Sequence, residues 1–290
     1  MGGYWTGERG GWEFERVLEA LRTRLTDGTY QVGNRLPSQR ELAEHFRVSR
    51  DTVQRVLKAL HGEGWIESRS GSGTRVIRTQ RIQSPTAGAA RWGRAVTLSS
   101  LISRAFEQPE VTLDVYTLTS ESLNAHVRVQ TERIRAKETA PQRIALRMLL
   151  PSEQLELPYP RAMDPAYNEA MRQRILGIAR RHTASLRGAL RDLRTEGLVP
   201  IVDVEIRHVP LTPAFKLYVF NGAEVLHGPY EVVERRIELE SGEEIDALDV
   251  LGLGAVLTHY VKDDDPDSQG SVFVDSMQSW FDSLWNLLAE

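Results

Sequence analysis

The chain has 290 residues, 41% hydrophobic and 26% charged, with no cysteine and a formal net charge of −4. That length and balance suit a water-soluble protein of two domains, each with its own core. Lacking cysteine, it has no disulfides, thiolate metal ligands or thiol redox switch; no apolar run reaches the roughly 18 residues of a membrane span.

The charge is unevenly divided. Residues 1–81 hold 14 Arg and Lys against 10 Asp and Glu, and the remainder 22 against 30. A basic first part beside an acidic second part suits a small module that neutralises phosphates, carried by a body that does not. The N-terminus MGGYWTGERGGW lacks the basic-then-apolar layout of a signal peptide, so a cytoplasmic location without a membrane partner is expected. Seven His are scattered without ligand-like spacing; neither a metal site nor a cofactor is expected.

In chain order, Phe14, Val17, Leu18, Leu21 and Leu25 recur at helical spacing and predict a helix over 12–25. Leu42, Ala43 and Phe46 mark a second short helix, and Val53, Val56, Leu57 and Leu60 a third. Ser38 with Glu41 three residues on is a capping box, and Ser49 is an N-cap signal for the third helix. Only Arg47-Val48 separates the two. So tight a turn is helix-turn-helix geometry, in which the second helix enters the major groove with its N-terminal residues at base edges. Those residues are Ser49, Arg50, Asp51, Thr52, Gln54 and Arg55. Arg bonds bidentately to guanine and Gln to adenine, while Ser and Thr hydroxyls suit phosphates. From Trp65 to Ile77, strand-forming residues flank Gly71-Ser72-Gly73, a β-hairpin with basic Arg69, Arg75 and Arg78.

These residues carry a family resemblance. The pattern LPSxRELAxxxxVSRxTVxxxLxxLxxEGWI over 36–66, closing on SGSGTRV, resembles the DNA-binding domain of GntR-type bacterial transcription regulators. The resemblance covers about the first quarter of the chain. It implies double-stranded DNA as partner and places contacts on Ser38, Arg40, Ser49, Arg50, Thr52, Gly71 and Gly73, to which the reading of the residues themselves adds Gln54 in the third helix and Arg69 and Arg75 in the hairpin. At Gln54 the family often has Arg, so a half-site borrowed from relatives does not transfer.

Thr79 to Ala95 lacks apolar periodicity and carries Pro, Gly and Ala, which reads as a linker. Beyond it, VTLDVYTLT at 111–119, a helix over 120–136 and RIALRMLLP at 143–151 make a βαβ start. A long helix over 164–196 and a strand at 202–209 follow. FKLYVFNG at 215–222 and EVLHGPYEVVERRIEL at 224–239 read as an antiparallel hairpin turning at Asn221-Gly222. The last segment, 272–290, is an amphipathic helix with Met277, Trp280, Phe281, Leu284, Trp285 and Leu288 in one stripe, core or dimer contact. The fold class is thus α+β multidomain: a winged helix-turn-helix over 1–78, a linker over 79–95 and an α/β effector-sensing and dimerisation domain over 96–290.

The hairpin has the spacing of the phospholipase D motif HxKx4Dx6GSxN, with Ala214, Asn221, Pro229 and Glu231 replacing four of its residues and only Lys216 and Gly228 kept. Together with its α/β context it resembles a degenerate phospholipase D-like sensor domain. That resemblance implies a cleft lined by Lys216, Asn221, His227, Tyr230 and Glu231 that binds a small-molecule effector. Without it, Lys216 is a solvent-facing strand residue and Asn221-Gly222 a turn. The superfamily's nucleophile is absent, because Ala214 forms no covalent intermediate, and residues 82–290 contain no nucleophile elbow, P-loop or dinucleotide fingerprint. The expectation is a GntR-type regulator, a repressor in sign, binding a palindromic operator as a homodimer under an unknown effector, and not an enzyme. The alternative is a DNA-binding domain fused to an enzyme such as a phosphodiesterase or aminotransferase.

Overall fold

The computed structural model describes residues 6–26, 29–62, 65–69, 73–76, 82–83, 97–239, 241–250 and 256–290. Two compact units result, Met1–Gln80 and Arg81–Glu290.

In the first unit, α1 (Thr6–Thr26), α2 (Gln39–Phe46) and α3 (Arg50–Gly62) are followed by the hairpin β1 (Ile66–Arg69) and β2 (Gly73–Val76). The helix starts are fixed by side chains. Ser38 Oγ accepts from Glu41 N at 3.3 Å while Ser38 N donates to Glu41 Oε2 at 2.7 Å, and Ser49 Oγ accepts from Thr52 N at 3.0 Å. Each cap satisfies a donor the helix itself leaves open. Between the helices Arg47 sits in the left-handed region at φ 55° and closes α2 by donating to the carbonyls of Ala43 and Glu44. The helices bury Val17, Leu21, Leu25, Leu42, Val53 and Leu60 against Trp65 and Ile66 of the hairpin. One strand-like stretch is absent from the sequence expectation: Leu36 N donates to Thr74 O and Val76 N to Asn34 O, so residues 34–36 widen the wing.

The second unit is a seven-stranded mixed sheet with helices on both faces. Its strand order is β3 (Ile82–Gln83), β12 (Leu257–Val261), β9 (Glu224–Pro229), β8 (Phe215–Phe220), β4 (Glu110–Tyr116), β5 (Arg143–Pro151), β7 (Ile201–Val209). The run β4, α5 (Glu121–Arg135), β5, α6 (Asn168–Thr195), β7 is parallel, and same-handed crossovers put both helices on one face. There they pack with α4 (Leu98–Phe106) around Leu101, Val127, Leu146 and Leu190. The other face, with Leu149, Leu217 and Val219, is covered by α7 (Gln269–Leu287) through Phe281 and Trp285. Tyr218 and Leu217 therefore face different layers, as a pleated strand requires.

Three sequence expectations are corrected here. Residues 224–239 are not one hairpin strand: β9 stops at Pro229, which lacks a donor, and the chain leaves the main sheet. It continues as β10 (Val232–Glu238) in a separate three-stranded sheet with β11 (Glu244–Val250) and β6 (Arg161–Ala162). Ile82 and Gln83, inside the predicted linker, pair in parallel with β12; residues 79–81 and 84–95 of that linker, and Gly71, lie outside the described residues. The long helix begins at Asn168 rather than 164, after a 3-10 turn over Pro165–Tyr167 capped by Asp164.

Gly228 is where β9 meets β12 most closely. A Cβ there would collide with Leu257 Cδ2 and lie 2.6 Å from Val256 O. Since the second neighbour is backbone, Gly228→Ala is expected to destabilise the protein by about 1–3 kcal/mol, read as a lower urea midpoint; an unchanged midpoint would mean that β12 yields.

Candidate nucleic-acid interface

The buried side of α3 takes Thr52, Val53, Val56, Leu57 and Leu60, leaving Arg50, Asp51, Gln54, Arg55 and Lys58 on its outer face. With Arg47 in the turn, that face carries four cations against one carboxylate. Arg47 and Lys58 were not predicted as contacts, although Lys58 lies at the i+4 and i+7 spacing from Gln54 and Asp51 that marks one helix face. Arg55 is turned back, its guanidinium 5.0 Å from the Phe14 ring centroid.

The remaining predicted contacts divide by exposure. Ser38, Arg40, Ser49, Arg50 and Gln54 are exposed, Arg40 lying 3.8 Å from Glu44 at the solvent surface. Thr52 is not available as predicted: it is 5% exposed and its hydroxyl meets Ser49 Oγ at 3.0 Å, because the third position of α3 turns towards the core. In the wing, Gly73 adopts φ 75°, and Arg75 reaches Gly33 O at 3.3 Å. Arg69 ends β1; its side chain lies outside the described residues. Hydrogen bonding to Ser38 holds the Glu41 carboxyl below its usual range.

In the second unit the five residues of the predicted cleft do not assemble. Lys216 and Tyr230 share a face, the ammonium 5.6 Å from the ring centroid, but Lys216 is only 3% exposed. The Tyr230 hydroxyl is occupied by Leu118 N at 2.9 Å and Thr117 Oγ1 at 3.0 Å. Asn221 sits at the far end of β8, in the hairpin turn at φ 51°, where its Oδ1 accepts from Thr112 N at 2.7 Å. His227 pairs with Leu217 on the α7 face, beside Phe215 and Phe273. Glu231 is exposed between β9 and β10. Strand alternation and strand length separate them, so Lys216 is neither solvent-facing nor a cleft residue. Its surroundings are a buried polar cluster at the start of α5, where Asn124 Nδ2 lies 3.2 Å from His182 Nδ1 and Glu121 lies 3.9 Å from His182 Nε2.

Residues 14–76 match the family described as bacterial regulatory proteins, gntR family. Over 120 residues the chain is 29% identical to the HTH-type transcriptional regulator YdfD of Bacillus subtilis, covering 40% of this chain and 25% of that protein. It is 39% identical over 69 residues to the Glc operon transcriptional activator of Escherichia coli, covering 24% and 27%. A solved GntR family transcriptional regulator from Listeria monocytogenes is 30% identical over 22% of this chain and 56% of that one, with a TM-score of 0.22. The chain thus spans about a quarter of the length of the curated relatives it matches.

Burial pushes the Lys216 ammonium down from the ordinary 10.5 to about 8, opposed by the charge of Glu121. The unfolded chain holds that proton to about pH 10.4, so between these values the unfolded state binds more protons and stability rises with pH. The burial cost is fully present below pH 8. Lys216→Met should therefore stabilise the protein by about 1–3 kcal/mol at pH 7, and the gain should shrink towards about pH 9.5. Urea melts at both pH values check this; a pH-independent difference would show that the folded lysine titrates normally.

Proposed function

Given that residues 14–76 are a gntR-family winged helix-turn-helix domain, we propose that the chain is a sequence-specific DNA-binding transcription regulator that docks α3 in the major groove of a palindromic operator as a homodimer. The observation that carries this reading is the outer face of α3, where Arg50, Gln54 and Lys58 stand together next to a wing bearing Arg75. Arg50 and Gln54 read base edges, while the exposed caps Ser38 and Ser49, with Arg40, meet phosphates. The expected sign is repression by operator occupancy. No helix among the described residues is long and apolar enough to cross a membrane.

The second unit is assigned dimerisation and effector sensing. Supporting self-pairing, β7 is an edge strand that hydrogen-bonds on its outer side only to Glu290, through His208, among the described residues. The outer N–H groups of Val202, Val204 and Ile206 stay open, since the odd residues face β5. Antiparallel pairing of two copies about Glu205 sets Val204 against Ile206 and Asp203 across from Arg207, a charge-complementary two-fold. The degenerate phospholipase D-like architecture is retained in this proposal for the fold alone, supported by the mixed sheet with helices on both faces and the pairing of Lys216 with Gly228. With Ala214 in place of the nucleophile, a regulator is favoured over a phosphodiesterase.

Arg50→Ala should weaken operator binding by about 1–3 kcal/mol without lowering thermal stability, and Gln54→Arg should change the preferred base at one position per half-site in a binding selection. Unaltered affinity and preference in both would overturn the docking. Val204→Pro removes one outward donor and should shift the full chain towards monomer by at least tenfold in sedimentation, with a matching loss of operator affinity; a persistent dimer would move the interface elsewhere.

A further inference from the structure

Within the second unit, a cavity of about 1050 Å³ opens beyond the carboxyl ends of β4, β5 and β7. Open α/β sheets bind ligands at that edge, and the volume lies just above the roughly 300–1,000 Å³ found for small-molecule sites. Its floor is Leu118, Leu150 and Ile206, its roof is Leu155, Leu157 and Tyr159 from the loop after β5, and one side is α6. Neither Lys216 nor any other residue of the sequence-predicted cleft lines it.

The α6 wall is basic along one stripe. Arg172, Leu176, Arg180, Thr183 and Arg187 recur at three- and four-residue spacing and all line the cavity. Two of these arginines hold the roof. Arg180 clasps Glu153 with 2.9 and 2.5 Å bonds, keeping that carboxyl below its usual range, and Arg172 donates to Glu153 O at 2.8 Å. Arg187, and Arg161 on the opposite side, line the cavity with no hydrogen bond or ion pair among the described residues. Among the lining acids, only Glu156 stands outside the arginine pairs. At the foot of α6, the Oδ1 of Asn168 is buried with no hydrogen-bond partner among the described residues. An apolar floor and roof with two uncommitted guanidiniums describe one kind of occupant.

We propose that this cavity binds an amphipathic organic anion, a carboxylate or phosphate on an extended apolar body, with the head group on an uncommitted guanidinium, Arg161 or Arg187, and the body between the β5 loop and the sheet. It rests on the reading of the second unit as a sensor, and it assigns that unit its effector class. Guanidinium recognises both head groups through paired N–H donors, and the apolar walls reject a small hydrophilic acid.

The test uses the full chain with decanoate, decyl phosphate and decanol below micelle-forming concentrations, by titration calorimetry and thermal shift. Both anions should bind at least tenfold more tightly than decanol, the tighter identifying the head group. The exposed pair Arg161→Glu with Arg187→Glu should lose at least tenfold for the anions and nothing for decanol, at unchanged ligand-free melting temperature. Ala179→Trp, which fills the cavity from α6, should lose all three. Equal binding of the three compounds, or anion affinity indifferent to the charge reversal, would overturn the proposal. Anion binding that leaves operator affinity unchanged upholds the site and removes its regulatory use, whereas intact operator binding with no anion bound overturns the site and leaves the DNA-binding reading standing.

Discussion

The second unit depends on one guanidinium. Arg147, on β5, holds Asp114 on β4 with bonds of 2.7 and 2.6 Å and Asp282 on α7 at 2.8 Å, while Gln278 of α7 donates to the same Asp114 at 2.8 Å. The cation also lies over the Phe281 and Trp285 rings. A bidentate, charge-assisted pair is geometrically demanding, so it fixes the angle at which α7 crosses the sheet. That angle lets Phe281 and Trp285 cover Leu149, Leu217 and Val219, and without the cover one whole face of the sheet would lie in water. The opposite face needs no such device, because the crossovers through α5 and α6 deliver their helices to it.

The first unit is held differently, by local signals. Ser38 with Glu41, Ser49 with Thr52 and the left-handed Arg47 lie within fifteen residues of one another and set both helix starts and the turn between them. Caps act over three residues and apolar stripes over eight or so, which is why this unit is legible along the sequence almost residue by residue. The exception is Thr52, where the family pattern points outward and the helix phase points inward. The helical phase of Val53 and Val56 already carries that answer.

In the second unit, what the sequence reveals is what is near in the chain: the βαβ run, the long helix, the Asn221-Gly222 turn, the closing amphipathic helix. What it conceals is sidedness. Motif spacing puts Lys216, Asn221 and His227 in one cleft, yet residues 216 and 227 lie on opposite faces of the hairpin and residue 221 lies one strand length away. A linear motif specifies intervals, whereas a cleft needs the pleat and the neighbouring strands, and here Tyr230 and its bonds to Thr117 and Leu118 have closed the space. The departure of β10 from the main sheet, and its union through β11 with β6, some seventy residues earlier, leaves no local mark beyond Pro229. The cavity walls likewise come from segments far apart in the chain, and only the Arg172, Arg180 and Arg187 spacing was there to read.

The long helix α6 belongs to two cores at once. Its first turns pack Met171 and Ile175 against the small sheet with Ile237 and Ile245, and its last turns pack Leu186, Leu190 and Leu193 against the main sheet. At 28 residues and 1.5 Å per residue it is about 42 Å long, and between these anchorages it forms the wall of the cavity. A strut pinned at both ends does not bend to fit a guest. A single helix thus ties the packing of the small sheet to that of the main one.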